Sequence, residues 1–365
     1  MITYRLFDSL SDFEQKNIRA DNQQLSFSKN ALYAAAVTVG SPYKYHNSNY
    51  FPKEILNWKT NIIHTFIDKS SLHLRFKNVS FLESSEKGAV GFFIGMIFAH
   101  LYAQIQLEIK FTEHLSNESI TPNLRPGNRS RPDLWGIAKS GQSYLIEAKG
   151  SFDSSDFSKI DYIRKAETQL KNVTSIDFKY STNQSKTYKG SNLKKIIVST
   201  FAKLPVRVTK KNQTPGIPNQ IYLDVIDPEG AEKKKVTVDG DEMVFKYYYF
   251  LVSMLSDQET EEKFLNGTAF ILYTIPCEGL KIGLMKDIYN LLNIYVKEYE
   301  ENIQNNLAKS ADFFRESNLY RKINGDEQDT GILNLLEGKR HEIETDAETK
   351  TLFSVGIDGV VVITE

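Results

Sequence analysis

A chain of 365 residues with 41% hydrophobic and 25% charged side chains has the composition of a folded globular protein, and its length allows two or three domains or one elaborated domain. The formal net charge of −1 excludes a uniformly basic protein, and a single cysteine, Cys277, excludes an internal disulfide framework and a thiolate-rich zinc site. The histidines form no HExxH-type pair and no Walker-type phosphate loop occurs, which argues against a zinc hydrolase and against an ATP-driven motor.

Met1 to about Ser80 is aromatic-rich and mixed, with a turn at Gly40-Ser41-Pro42 and a strand-like piece from Ser71 to Phe76. It is expected to form an N-terminal lobe or an extension of the core. Glu86–Leu107 is long, strongly apolar and free of proline, so it predicts a buried helix with Ser84 or Ser85 as N-cap and His100 as a core histidine. Its apolar stretch, Ala89–Ala103, is short for a membrane span and belongs in a core. The N-terminus lacks the pattern of a signal peptide, so a cytoplasmic protein with no membrane partner is expected.

Glu108–Leu115 alternates like a strand. The stretch Arg131–Gly150 (RPDLWGIAKSGQSYLIEAKG) then reads as a β-hairpin turning at Lys139-Ser140-Gly141-Gln142. Ser158–Val173 predicts an amphipathic helix with Ile160, Ile163, Ala166, Leu170 and Val173 on its inner face. Lys195–Ala202 and Ile221–Ile226 read as strands, with a proline- and lysine-bearing loop at Lys203–Asn219 between them. After a lysine-rich turn at Glu229–Asp241 come a helix (Asp241–Leu255), a strand (Phe270–Ile275), an amphipathic helix (Met285–Lys297), a helical stretch (Asn302–Leu319) and a closing strand pair (Leu352–Thr364). Three regions are expected: 1–80, a core over 81–275, and an acidic, helical region with closing strands over 276–365.

The chemistry sits on the hairpin. Residues i and i+2 of a strand share a face, so Glu147 and Lys149 project together and Ala148 faces away. Asp133, on the neighbouring strand, reaches the same spot. Two carboxylates beside an ammonium make a site for a hard cation, completed by water and substrate phosphate. Asp133 and Glu147 would hold Mg²⁺, for which Mn²⁺ substitutes, with the Ala148 backbone carbonyl as a further ligand. Lys149 would stabilise developing negative charge or help deprotonate water. The opposite reading is a proline-started turn at Asp133 and a same-face ion pair between Glu147 and Lys149.

Charge is unevenly placed. Phe178–Leu223 holds nine Lys/Arg, among them Lys186, Lys189, Lys210 and Lys211, and no acid. Ser119–Pro132 holds Arg125, Arg129 and Arg131, again with no acid, whereas Asp287–Glu365 carries sixteen acidic against eight basic residues. A basic stripe beside a hydrolytic site is the footprint of a phosphate-backbone binder, while basic loops standing alone are usually solvated faces.

Pro132-Asp133 followed by Glu147-Ala148-Lys149 resembles the PD-(D/E)xK nuclease superfamily, which includes restriction endonucleases, repair nucleases and phage-defence effectors. The order helix, three strands, helix, strand resembles that family's core and covers roughly Glu83–Ala202. The resemblance implies an α/β fold with a restriction-endonuclease-like core, a central mixed sheet flanked by helices. It implies Mg²⁺-dependent cleavage of DNA, with RNA a weaker choice, in restriction or phage defence. It further implies a homodimer, and a protein partner or activator. Glu86 matches the acidic residue that members often carry on the first core helix, although a glutamate there also complements the helix dipole. Gln169 resembles the glutamine of exonuclease-like branches, against a solvated helix face. The rival function is a nucleic-acid-binding module or interaction subunit that does not cut.

Overall fold

β-Branched and aromatic runs separated by turn residues set the strands, and one long apolar helix sets the layer against them. The computed structural model describes residues 1–39, 52–115, 120–138, 140–152, 160–181, 184–203, 219–228, 241–275, 279–304, 332–339 and 343–364. The chain begins with β1 (Ile2–Phe7), α1 (Leu10–Gln15), β2 (Ala20–Leu25), α2 (Ala31–Thr38), α3 (Pro52–Phe66), β3 (Ile67–Asp68) and β4 (Arg75–Phe76). It continues through α4 (Ser84–Gln106), β5 (Thr112–His114), β6 (Ile120–Leu124), β7 (Leu134–Ile137), β8 (Ser143–Gly150) and α5 (Ile160–Asn172). Next come β9 (Val173–Ser181), β10 (Gln184–Lys189), β11 (Lys194–Lys203), β12 (Gln220–Ile226) and α6 (Asp241–Asp257). The last part holds β13 (Glu261–Leu265), β14 (Thr268–Ile275), β15 (Leu280–Met285), α7 (Lys286–Gln304), α8 (Ile332–Leu335), β16 (Ile343–Thr345), β17 (Leu352–Val355) and β18 (Val360–Thr364).

The protein is α/β with a mixed central sheet in the order β2-β1-β12-β11-β8-β7-β5, to which β3 and β4 attach at β12. β8 and β11 run parallel, as do β1 and β12, and the other neighbours on this path are antiparallel. Strands β8, β11 and β12 are near-continuous apolar runs because both faces are covered. α4 packs on one face and α5 on the other. α4 is the one described helix long and apolar enough to cross a membrane, and 67% of its most apolar window is buried inside the protein, as expected of a core helix. It meets β8 through glycines: a Cβ on Gly150 would lie 1.8 Å from the Gly91 carbonyl oxygen, and one on Gly95 would lie 2.8 Å from the Gly150 nitrogen. Helix and strand therefore touch backbone to backbone.

Several boundaries differ from expectation. The N-cap of α4 is Glu83 rather than a serine, in a capping box with Glu86. β5 keeps only three residues, because Glu108 takes a left-handed conformation (φ 53°) and the Ile109 amide closes the end of α4 on Ala103. In the expected Ser71–Phe76 strand only Arg75–Phe76 pairs. Residues 1–80 supply β1 to β4 of the central sheet, so they are built into it. A second sheet, β10-β9-β6, was not expected from the sequence; β9 follows α5 without a linker. The expected boundary at 275 falls between β14 and β15 of a third sheet, β13-β14-β15-β18-β17-β16, because β15 pairs along its whole length with Phe270–Ile275 of β14. The turn at Gly40-Ser41-Pro42, Cys277, most of the Lys203–Asn219 and Glu229–Asp241 loops and the helical stretch beyond Gln304 lie outside the described residues.

The third sheet is tied to the rest by buried polar contacts. Asp358, in the turn before β18, accepts from Tyr247 Oη at 2.5 Å and Gln104 Nε2 at 3.3 Å, and its carbonyl accepts from the Tyr248 hydroxyl. His100 Nε2 lies 3.3 Å from the Tyr247 hydroxyl and 3.2 Å from that of Thr38, and its Nδ1 lies 2.8 Å from Thr112 Oγ1. His100 is thus the satisfied core histidine that its place in α4 predicts. Ser28 bonds Ser354 at 2.6 Å and Asn30 bonds the Val362 carbonyl at 3.3 Å, joining chain segments more than 320 residues apart.

Candidate active site

β7 and β8 pair antiparallel with Leu134 opposite Ile146, so Asp133 falls opposite Glu147, one step beyond the paired segment. Asp133 Oδ2 accepts the Ala148 N–H at 2.8 Å, which pins the aspartate to the neighbouring strand. The Asp133 carbonyl in turn accepts the Leu115 N–H at 3.0 Å, holding this point against the end of β5. Glu147 is fully buried and Asp133 is 9% exposed. Alternation along β8 places Glu147 and Lys149 on the α5 side, while Ala148 and Gly150 face α4.

The Lys149 ammonium pairs with Glu147 Oε1 and donates to Gln169 Oε1 at 3.0 Å. Gln169 Nε2 donates to the Arg131 carbonyl at 2.9 Å. One amide side chain therefore ties the lysine to the loop that precedes Asp133. On α5, Tyr162, Ala166 and Gln169 recur at helical spacing on one face, and the Tyr162 ring centre lies 5.4 Å from Lys149 Nζ. Tyr162 was not singled out in the sequence; its spacing of seven from Gln169 was the available signal.

Burial sets the electrostatics. Glu147 is pushed up to about 8, first by removal from water and then by the Asp133 charge, while Lys149 and the Asp133 backbone amide pull the other way. Asp133 is pushed up to about 6 by burial, against the Ala148 amide and Lys149. Nonetheless Glu147 Oε2 is buried with no hydrogen-bond partner among the described residues. A buried acceptor without a donor costs roughly 1–3 kcal/mol, and more when charged, so such a group in a folded protein calls for an explanation.

A small divalent cation would satisfy it. Mg²⁺ is commonly held by one or two carboxylates, with water and phosphate oxygens filling the other positions, so Asp133 and Glu147 fit its needs. Among the described residues no cluster of three or more His, Cys, Asp or Glu forms a fuller cage. Glu86 does not add a third carboxylate: it is exposed, and its Oε2 accepts the Glu83 N–H at 3.0 Å to cap α4. The helix-terminus role is the one its surroundings explain. Asp153 and Asp156, which follow Lys149 closely in sequence and could cap the helix after it, lie outside the described residues.

Arg125, Arg129 and Arg131 are exposed on the turn-bearing loop between β6 and Asp133. Lys189 is exposed at the end of β10, and Lys186 lies within β10, opposite Phe178 of β9. Lys210 and Lys211 lie outside the described residues. Thus the arginines share a loop with the site, and part of the lysine stripe belongs to the second sheet rather than to a loop. No protein-family model matches this chain, and no curated protein or solved structure matches it.

Proposed function

We propose that this chain is a metal-dependent nuclease that hydrolyses phosphodiester bonds in DNA, built on a restriction-endonuclease-like core. The observation that carries the reading is the convergence of Asp133, Glu147 and Lys149 at one point of the central sheet, with a buried Glu147 oxygen left without a donor. With β6, β9 and β10 set apart in the second sheet, the order of the central-sheet strands and their helices, α4, β5, β7, β8, α5, β11, with β11 parallel to β8, supports the fold assignment.

Asp133 and Glu147 would hold Mg²⁺ or Mn²⁺, with the Ala148 carbonyl beside them. The ion's contribution when bound is to polarise a phosphoryl oxygen and make a water more acidic. Lys149 keeps a fixed positive charge at the edge of the carboxylate pair, where charge grows on the phosphate oxygens in the transition state. Gln169 fixes the direction of that ammonium. Arg125, Arg129 and Arg131 would grip the phosphate backbone from the adjoining loop, and such contacts position without reading sequence. The setting in restriction or phage defence, a homodimer and an activating partner are part of the same proposal and rest on the resemblance alone.

A second reading, a module that binds nucleic acid without cutting, draws on the direct contact of Lys149 with Glu147, which already engages both side chains. Cleavage of plasmid and linear DNA with Mg²⁺, Mn²⁺ or chelator, in wild type, Lys149→Ala and Glu147→Ala, separates the two. Metal-dependent cutting lost in both variants supports the nuclease. Folded wild type that binds DNA equally with or without chelator and never cuts it supports the binding module.

A further inference from the structure

The Lys149 ammonium has three sides to satisfy. Glu147 takes one, Gln169 takes the second, and the face of Tyr162 covers the third at 5.4 Å from the ring centre, inside the range in which a cation is attracted by an aromatic quadrupole. Tyr162 stands in the first turn of α5, one turn before fully buried Ala166, whose small side chain lets the helix lie close to β8. Its hydroxyl lies 3.4 Å from the Gly150 carbonyl, so the same residue also touches the strand one position past the lysine.

We infer that Tyr162 is a positioning residue for Lys149: its ring holds the ammonium over the carboxylate pair, in the orientation that Gln169 fixes from the other end. The inference rests on the nuclease reading for its consequence, because it assigns the orientation of Lys149 to a group that itself touches no phosphate. A tyrosine present only to fill space would act through volume. A tyrosine acting through its ring electrons would act through the charge distribution of the face, which fluorine withdraws at nearly constant size.

The test replaces Tyr162 by Phe, by phenylalanines carrying one, two and three ring fluorines, and by Leu, and follows two readouts. The first is the side-chain resonance of Lys149 in protein made with ¹³C-lysine, assigned by its disappearance in Lys149→Arg. The expected result is a ring-current shift in wild type and Tyr162→Phe that is lost in Tyr162→Leu. The second is single-turnover DNA cleavage at saturating Mg²⁺. Tyr162→Phe should stay near the wild-type rate, each added fluorine should slow it, and Tyr162→Leu should fall roughly ten-fold with DNA affinity unchanged. Absence of the ring-current shift, or a flat rate across the fluorinated series in folded protein that cuts, overturns the inference and leaves the nuclease standing. A shift that behaves as expected in a wild type that cuts nothing removes the nuclease reading, and the assigned role with it. The fluorinated series keeps the claim open to refutation even if Tyr162→Leu fails to fold.

Discussion

Replacing Glu147 by Gln should make the metal-free protein more stable while removing its response to metal. The Glu147 carboxyl is lifted from 4.5 to about 8, mainly by burial. At pH 8 that lift corresponds to roughly 4 kcal/mol of lost stability relative to a neutral side chain. Gln stands in for the neutral carboxyl and keeps an acceptor where Oε1 stood, and the attraction of Lys149 is already contained in the Glu147 shift. The expected net gain is therefore roughly 4 kcal/mol at pH 8. For 365 residues this is a rise in Tm of roughly 5 °C. Both carboxylates bind protons more tightly folded than unfolded. Their contribution is therefore complete below the unfolded carboxylate range and is lost as pH rises through about 6 for Asp133 and about 8 for Glu147. At pH 5 the gain from Glu147→Gln should accordingly shrink to about 1 kcal/mol or less. Mg²⁺ should raise the wild-type Tm increasingly from pH 6 to 8, because it competes with the protons, and should leave the Gln variant unmoved. Calorimetry in chelator and in 10-fold steps of Mg²⁺ measures all of this. A fall in Tm for Glu147→Gln at pH 8 would refute the reasoning and make Glu147–Lys149 a structural ion pair.

On the proposed nuclease function, in which the Lys149 charge would act on the transition state, Lys149→Ala should bind DNA about as well as wild type yet cut at least ~100-fold more slowly, as judged by single-turnover cleavage. Gly150→Ala should cost about 3 kcal/mol or more in urea unfolding, because the new Cβ would meet the Gly91 carbonyl oxygen at 1.8 Å and neither backbone can retreat freely. Replacing Arg125, Arg129 and Arg131 together by Ala should weaken binding to all duplex sequences alike and reduce the slope of log K against log salt by up to about 3, read by fluorescence anisotropy; an unchanged slope would place the backbone elsewhere. Tyr247→Phe should destabilise by ~1–3 kcal/mol with cleavage intact, since it strips a donor from buried Asp358.

What the sequence made legible follows from local physics. The apolar length of α4 and the inner-face spacing Ile163, Ala166, Leu170 of α5 are properties of single segments, and both formed close to where they were expected. The Asp133–Glu147–Lys149 cluster was legible because strand alternation and one hairpin turn determine which side chains meet. β2 was not, since Ala20–Leu25 is a polar edge strand that is largely exposed and owes its form to pairing with β1. Nor was the second sheet, where polar β10 is ordered by β9, and β9 by β6 some fifty residues upstream. Tyr162 escaped notice because its partner Lys149 lies on another element, and nothing local marks a ring that faces a lysine. Glu86 shows the converse: its position matched the resembled family's acidic residue and a glutamate complementing the helix dipole equally, and its bond to the Glu83 amide places it in the helix cap.

The joining of Ser28 to Ser354 and of Asn30 to Val362 bears on the order of events during synthesis. Segments near the start must stay open until strands near residue 360 have been made, and loop closures of that span are slow. A ribosome-bound chain arrested before residue 343 would present Tyr247, Tyr248 and Gln104 without Asp358, and should remain easy prey for a protease that spares the finished protein. The sheet that carries Asp133 and Glu147 is thereby braced only once strands about 330 residues beyond Ser28 and Asn30 exist.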